Sequence, residues 1–152
     1  MADFDAIDDR LIVGSAFEAA DVPMLVDLGV GAVVSLQAEM HDPVEELERA
    51  GIKCVRVECE DFRAPSPAQL RAAVEAVAGF VEEGRRVYLH CFAGLQRSVT
   101  VAACYYIRAE PDKYNARTAI EFVCARRRGA CPLREQKDAI IDYARLVTAM
   151  LG

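Results

Sequence analysis

The sequence predicts an α/β protein: a central, mostly parallel sheet of four to five strands flanked by helices. Three observations lead there. Short strand-like runs recur along the first ninety or so positions, and one of them, GAVVSL at 31 to 36, is β-branched and continuously apolar, as a strand buried on both faces is. The stretches between them carry helical periodicity and end on glycines. Beyond Ser98 no strand pattern returns, and the chain reads as three C-terminal helical segments.

Taken in order, LIVGS at 11 to 15 is the first strand, and Phe17 to Leu28 mixes apolar and acidic residues as a helix does, with Asp21 as an internal N-cap. GAVVSL at 31 to 36 has the composition of a central strand. Pro43 to Ala50 is a short helix closed by Gly51, and KCVRV at 53 to 57 is the next strand. Ser66-Pro67-Ala68-Gln69 is a helix start, with a serine to cap, proline at the first helical position and glutamine where a capping box needs it. Leu70, Val74, Val77 and Val81 then share one face until Gly84. RVYLH at 86 to 90 is a buried strand. The helical segments that follow run from Ser98 to Ala109, Asn115 to Arg127 and Pro132 to Leu151, broken at Pro111-Asp112 and at Gly129.

At 152 residues, 53% apolar and 28% charged, the chain fits one soluble globular domain over residues 1–152, with no repeat or linker. No apolar stretch approaches the roughly 18 residues of a membrane span. The acidic N-terminus lacks a basic-then-apolar signal pattern. The expectation is a cytoplasmic monomer without membrane association. A net charge of −6 argues against nucleic acid as a partner. Arg126-Arg127-Arg128, with Arg134 behind, reads as a solvated helix end that complements the helix dipole. The alternative is that it flanks the functional site and favours anionic substrates. Six cysteines without a CxxC pair, and only two histidines, give no basis for a metal site, and no cofactor is expected. Cys54, Cys104 and Cys124 sit among apolar neighbours and read as core residues.

Cys91 differs in its surroundings. The run His90-Cys91-Phe92-Ala93-Gly94-Leu95-Gln96-Arg97-Ser98 follows a buried strand and precedes an apolar helix. Loop N–H groups and the helix N-terminus there converge on one spot and form an anion receptor. A free thiol has a pKa of about 8.5 and only the thiolate attacks, a form that amides and a guanidinium favour. Arg97 suits two oxygens of a phosphoryl group in a planar fork. Gly94 supplies a tight turn. Ser98 can donate to the sulfur, and can equally cap the helix. His90, at a buried strand end, reads as a structural residue whose ring steadies the loop. Releasing an alcohol from phosphorus needs a proton donor. Asp61 is the candidate, with Glu58 and Glu60 as competitors, in a loop that Pro65 stiffens and Phe62 can pack down.

HCFAGLQRS matches the HCxxGxxRS signature, and the chain thereby resembles the cysteine-dependent dual-specificity phosphatases of the protein tyrosine phosphatase superfamily. DRLIVGS, GAVVSLQAE and EDFRAPSPAQL resemble the corresponding family segments, so the likeness covers nearly the whole chain, and compact archaeal and bacterial members are closest in size. The resemblance implies a protein tyrosine phosphatase-like fold and a phosphomonoesterase acting through a phosphocysteine. Cys91 then matches the nucleophile, Arg97 the phosphate-binding arginine, Ser98 the hydroxyl that assists thiolate departure and Asp61 the general acid. Phe92, Ala93, Gly94, Leu95 and Gln96 would supply the amide cradle. Gln136 resembles a glutamine that some members place near the hydrolytic water, although a plain helix position is the preferred reading.

Two departures stand out: Gln96 occupies a position where many members carry a small residue, and the loop lacks the lysine common in phosphoinositide phosphatases. No counterpart of the aromatic loop that deepens strict tyrosine phosphatase pockets is evident. A phosphorylated protein or peptide, bearing phosphotyrosine and also phosphoserine or phosphothreonine, is the expected substrate. A non-catalytic phosphate-binding module and a rhodanese-like sulfurtransferase are the competing classes.

Overall fold

In the computed structural model, which describes residues 2–151, the strand read at RVYLH lies in the middle of a five-stranded sheet. The strands are β1 (Phe4–Ala6), β2 (Leu11–Gly14), β3 (Val30–Gln37), β4 (Lys53–Cys59) and β5 (Arg86–His90), in the spatial order β1-β2-β5-β3-β4. All neighbours are parallel except β1 and β2, which pair antiparallel from Phe4–Gly14 to Ala6–Ile12. β1 has no counterpart in the sequence reading. Its three residues, FDA, are too few to show a period, and pairing with β2 is what makes them a strand.

Six helices flank the sheet: α1 (Val22–Asp27), α2 (Val44–Arg49), α3 (Pro67–Glu82), α4 (Arg97–Ala109), α5 (Ala116–Arg126) and α6 (Arg134–Leu151). The helix expected from Phe17 to Leu28 is divided, a 3₁₀ turn at Ala19–Asp21 preceding α1. Asp21 holds the expected N-cap position of α1 but makes no side-chain capping bond there. Its carboxylate reaches back to the Glu18 amide at 2.9 Å, closing the capping box of the 3₁₀ turn instead. At α3 the expected box is present: the Gln69 amide donates to Ser66 Oγ at 3.1 Å and the Ser66 amide to Gln69 Oε1 at 2.8 Å.

Successive residues of the strands face opposite layers. Val13, Val34, Val87 and Leu89 join the large core under α3 to α6, while Ile12, Val33 and Tyr88 join a smaller one with Leu25 of α1 and Leu47 of α2. Arg97 to Ile107 of α4 are all buried, enclosed by α3, α5, α6 and the sheet. A helix enclosed on all sides cannot shift its N-terminus without repacking the core, and that N-terminus is where the Cys91 loop ends. Cys104 is buried as expected, whereas Cys54 and Cys124 are only half-buried. No helix among the described residues is long and apolar enough to cross a membrane.

β5 lies between β2 and β3, so the chain connections leave toward opposite sides at this point of the sheet. The crevice beyond the carboxyl ends of such strands is where open parallel sheets hold ligands. Residues 91 to 96 occupy it.

Candidate active site

The loop after β5 is held from outside by its carbonyls. His90 Nδ1 lies 3.2 Å from the Cys91 oxygen, and the Ala16 amide donates to the Phe92 oxygen at 2.9 Å. Arg127 donates to the oxygens of Ala93 (3.1 Å) and Gly94 (2.9 Å), and the Cys131 amide to that of Leu95 (2.9 Å). In a trans peptide the N–H points opposite to the carbonyl, and no cis bond occurs among the described residues. With the carbonyls of Cys91 to Leu95 turned outward, the amides of Phe92, Ala93, Gly94, Leu95 and Gln96 turn toward the concave side. Gly94 is required twice over, since its φ is +74° and a Cβ there would run into the carbonyl of Gly14.

Cys91 is 2% exposed, with Sγ 3.3 Å from the Ser98 hydroxyl. Gln96, not Ser98, holds the N-cap position of α4. Ser98 is therefore inside the first turn, fully buried, with its hydroxyl facing the sulfur. His90 presents both ring nitrogens to acceptors, the Cys91 carbonyl and the Asp42 carboxylate at 2.9 Å, and so links the loop to the segment after β3.

Arg97 is 1% exposed and grips Glu39 with both terminal nitrogens at 2.9 Å. It also donates to the Cys59 carbonyl at 2.9 Å and lies 3.3 Å from Asp61. Its Nε has no partner. A buried guanidinium nitrogen left unpaired is costly unless a ligand completes it, and here it belongs to the residue that closes the amide cradle. The Arg97 hydrogen bonds hold the Glu39 carboxyl down to about 2 against the opposing effect of burial. Cys59 lies close enough to feel Arg97 and Cys91. Burial pushes its thiol up to about 11, with Arg97 opposing and Cys91 adding to the rise.

Of the three acidic candidates before α3, Asp61 alone lines the cavity of about 220 Å³ that contains Cys91 and Arg97. Glu58 turns away to Arg56 at 2.7 Å, and Glu60 faces a shallow depression shared with Glu39 and Arg63. Phe62 does not pack the loop down: it is 68% exposed, with φ at +60°. The loop is fixed from behind instead. Gln69 Nε2 donates to the Glu58 carbonyl at 2.9 Å and Gln136 Nε2 to the Arg63 carbonyl at 3.1 Å. Gln136 is fully buried and its Oε1 accepts from the Leu133 amide at 2.8 Å, so both ends of its amide engage backbone.

In the basic run at the end of α5, Arg126 is the solvated helix-end cation expected, donating to the Phe122 carbonyl at 3.2 Å, but Arg127 is not. The Arg127 side chain is fully buried, and besides the two loop carbonyls it meets Asp5 at 3.0 Å and Asp3 at 3.2 Å. Burial would raise Asp5, but the Arg128 amide and the guanidinium groups of Arg127 and Arg128 outweigh it and hold the carboxyl below its ordinary value. Arg128 is exposed and pairs with the same two aspartates. Arg127 thus lies beside the functional site, the alternative placement of the basic run, whereas Glu39 and Asp42 had no expectation attached to them. The nearest signal was position: Glu39 and Asp42 follow the β3 strand whose end lies beside that of β5.

Comparison with known proteins agrees with this geometry. The family model for the dual specificity phosphatase catalytic domain matches residues 11–146. Phosphatidylglycerophosphate phosphatase PTPMT2 of Arabidopsis thaliana is 30% identical over 150 residues, covering 94% of this chain and 63% of that protein. Dual specificity protein phosphatase 1 of Mus musculus is 31% identical over 117 residues, covering 77% of this chain and 30% of that protein. The chain thus spans less than two thirds of the length of either relative. Among solved structures, PTPMT1 in complex with PI(5)P superposes with a TM-score of 0.89 at 24% identity, covering 98% of this chain and 99% of that one. Tk-PTP in its active form gives 0.84 at 26% identity, covering 93% and 96%. A match that runs from the first strand of the parallel sheet into α6, over a loop built in this way, means that the chain belongs to the dual specificity phosphatase catalytic domain family.

Proposed function

We propose that the protein is a phosphomonoester hydrolase acting through a phosphocysteine, with phosphorylated protein or peptide as substrate. The observation that carries this reading is the unpartnered Nε of buried Arg97 beside a loop whose amides face inward around Cys91. The phosphoryl oxygens complete those donors, and Cys91 Sγ attacks phosphorus from below. As the S–P bond forms, the P–O bond to the leaving group breaks and Asp61 delivers a proton to the departing oxygen. Phosphate arriving next to Arg97 competes with Asp61 for the same guanidinium, and a proton shared between the two anions relieves the repulsion. In the second half, Asp61 takes a proton from water, the water oxygen bonds to phosphorus and the P–S bond breaks. Ser98 donates to the sulfur as it regains its negative charge.

The test uses an aryl phosphate. Cys91→Ser abolishes turnover, Asp61→Asn slows it by about 10²–10⁴, most for poor leaving groups, and acid-quenched Asp61→Asn carries a phosphoryl group on Cys91 by mass spectrometry. Full turnover in Cys91→Ser would overturn the reading. Tight oxyanion binding without hydrolysis would indicate a non-catalytic module, and a persulfide on Cys91 after thiosulfate a sulfurtransferase.

A lipid phosphomonoester is the second reading, favoured by the phosphatidylglycerophosphate phosphatase relative and the PI(5)P complex. The loop from Phe92 to Gln96 carries no lysine or arginine, and the adjoining depression carries Glu39, Glu60 and Asp61 against one cation, Arg63. These charges favour the protein substrate over a polyanionic headgroup.

A further inference from the structure

α6 carries more apolar surface than its packing uses. Ile140, Ala144 and Val147 face the core, but Ala139, Tyr143, Leu146 and Met150, spaced as one helix face, form a second stripe that the fold covers only in part. Tyr143 is 7% exposed, Leu146 40% and Met150 78%. Between this stripe and α3 lie two hollows of about 470 and 340 Å³ that share Arg71, Tyr143 and Leu146 and so make one groove. Pro65, Pro67 and Leu70 wall its first half, and Met150 and Leu151 stand at its far end. Single exposed apolar residues are ordinary on a surface, whereas a contiguous apolar groove marks a binding face. From Glu135 to Leu151 α6 spans about 24 Å, the length of about seven residues of extended chain.

Charge divides the groove into two ends. Glu135, Asp138 and Asp142 stand along one edge of the first half, where Arg71 is the one lining cation. Glu135 is 3.9 Å from Arg63 and Asp142 3.6 Å from Arg145, while Asp138 has no ion pair among the described residues. In the second half Arg108 is already engaged by Glu75 at 2.7 Å and by Glu82 at 3.6 Å, which leaves the far end apolar. The acidic end is also the end next to the catalytic site. Ala64 lines it, three residues after Asp61 and so within about 11 Å of that acid.

We propose that the groove between α3 and α6 docks the phosphoprotein substrate, holding an extended segment that sets lysine or arginine on the Glu135 to Asp142 edge and apolar side chains toward Met150. The proposal rests on the protein-substrate reading above and adds where the rest of that substrate is held. A phosphorylated residue on the Cys91 loop and a segment in the groove belong to one chain, joined past Ala64 by a few residues, so the second contact is intramolecular once the first has formed. Three carboxylates against one guanidinium attract a basic segment and repel an anionic lipid surface. Small phosphate esters reach the loop without touching the groove. Docking therefore lowers KM for substrates that carry the segment and leaves kcat unchanged, because the contact is made equally in the ground and transition states.

The probes are phosphotyrosine peptides. One is short, with alanine and glycine flanks; in two longer ones a glycine spacer, Lys-Arg and alternating leucine and serine are added before or after the same sequence. One long peptide exceeds the short one in kcat/KM by about tenfold, through KM. Leu146→Glu and Asp138→Lys, both at exposed positions, remove this gain while turnover of an aryl phosphate and of the short peptide moves less than 2-fold. Replacing Lys-Arg in the probe by Glu-Glu removes the gain with the unaltered protein and recovers part of it with Asp138→Lys. Equal kcat/KM for the short and both long peptides, or a gain that persists in both variants, would overturn the proposal. So would sedimentation showing that Leu146→Glu abolishes self-association, or binding to phosphatidylcholine vesicles, in a protein that shows no peptide gain; the groove would then belong to a second copy or to a membrane. Absence of turnover with the aryl phosphate and every peptide would overturn the proposed reaction instead. Docking is still read in that case from the anisotropy of the labelled long peptide with tyrosine in place of phosphotyrosine, whose binding Leu146→Glu weakens.

Discussion

Glu39 meets Arg97 fork to fork, each carboxylate oxygen 2.9 Å from a terminal guanidinium nitrogen. This pair fixes the plane of the guanidinium and so the direction of its remaining donor, Nε. Glu39→Gln keeps the side-chain length but replaces one acceptor with a donor, which cannot face a nitrogen of Arg97. The guanidinium then loses its orientation, and kcat/KM for an aryl phosphate falls by about 10- to 100-fold, as expected for a reactive group displaced by a fraction of an ångström. Steady-state kinetics at neutral pH check this, with Glu39→Asp intermediate.

The same pair makes a prediction in acid. The folded Glu39 carboxyl titrates at about 2, below its ordinary 4.5, so its contribution to stability is fully present above about 4.5 and disappears as pH falls through about 2. Its side chain is 37% exposed, and solvent screening limits the effect to about 1 kcal/mol. Denaturant midpoints of wild type and Glu39→Gln should differ by a constant amount from pH 7 to 5 and converge below 4.5. A gap that persists at pH 2 would mean that Glu39 acts through packing.

Arg127 couples β1 to the cradle, because one buried guanidinium serves Asp3, Asp5 and the carbonyls of Ala93 and Gly94. Lysine retains the charge but reaches these partners only as a point. Arg127→Lys should weaken binding of orthovanadate or inorganic phosphate about tenfold while the protein remains folded. Arg127→Met leaves Asp3 and Asp5 to Arg128 but takes the donor from the Ala93 and Gly94 carbonyls, and lowers stability by about 1–3 kcal/mol. A drop in melting temperature in Arg127→Lys with unchanged oxyanion affinity would reduce the residue to a structural tie.

The legible parts of this chain were those specified by local chemistry. Ser66 and Gln69 announce α3 because a capping box is read within four residues, and β3 and β5 announce themselves by burial on both faces. Cys91, Arg97 and Ser98 stand together in the sequence because a strand, a tight loop and a helix N-terminus must follow one another. What the sequence could not display was the support. Glu39, Asp42 and Arg127 reach the loop from other elements, and only the sheet order that sets β3 beside β5 brings the first two there. Arg127 has the sequence position of a helix-end cation because its carboxylate partners, Asp3 and Asp5, lie more than a hundred residues earlier in the chain. Phe62 departs from expectation for another reason: apolar character says that a ring can be buried, not that it is.

Gln136 holds the acid loop from behind, through the Arg63 carbonyl at 3.1 Å, while its own oxygen closes the start of α6. Gln136→Ala removes both bonds and leaves the part-buried Arg63 carbonyl and Leu133 amide without these partners. The loop then samples positions in which Asp61 is out of reach of the leaving group. Turnover of an alkyl phosphate should fall by about tenfold more than that of an aryl phosphate with a good leaving group, since only the former depends strongly on the acid. An equal loss for both would assign Gln136 to the attacking water or to stability.

Gly94 offers the strictest test of the cradle, because two obstacles to a side chain coincide there. Its φ of +74° is unfavourable for alanine by about 1–2 kcal/mol. Independently, the added methyl would meet the backbone of Gly14 and Ser15, which cannot rotate away. Gly84 provides the control, having a φ of +81° but open space where its Cβ would point. Gly84→Ala should therefore show the conformational cost alone, a lower melting temperature with oxyanion affinity intact. Gly94→Ala should add about 1–3 kcal/mol for crowding. It should also push the loop off β2, break the Ala16 amide bond to the Phe92 carbonyl and turn that peptide's N–H away from the concave side. Phosphate inhibition and melting curves of the two variants read these effects separately. If Gly94→Ala matched Gly84→Ala in both, contact with Gly14 would not be what shapes the loop.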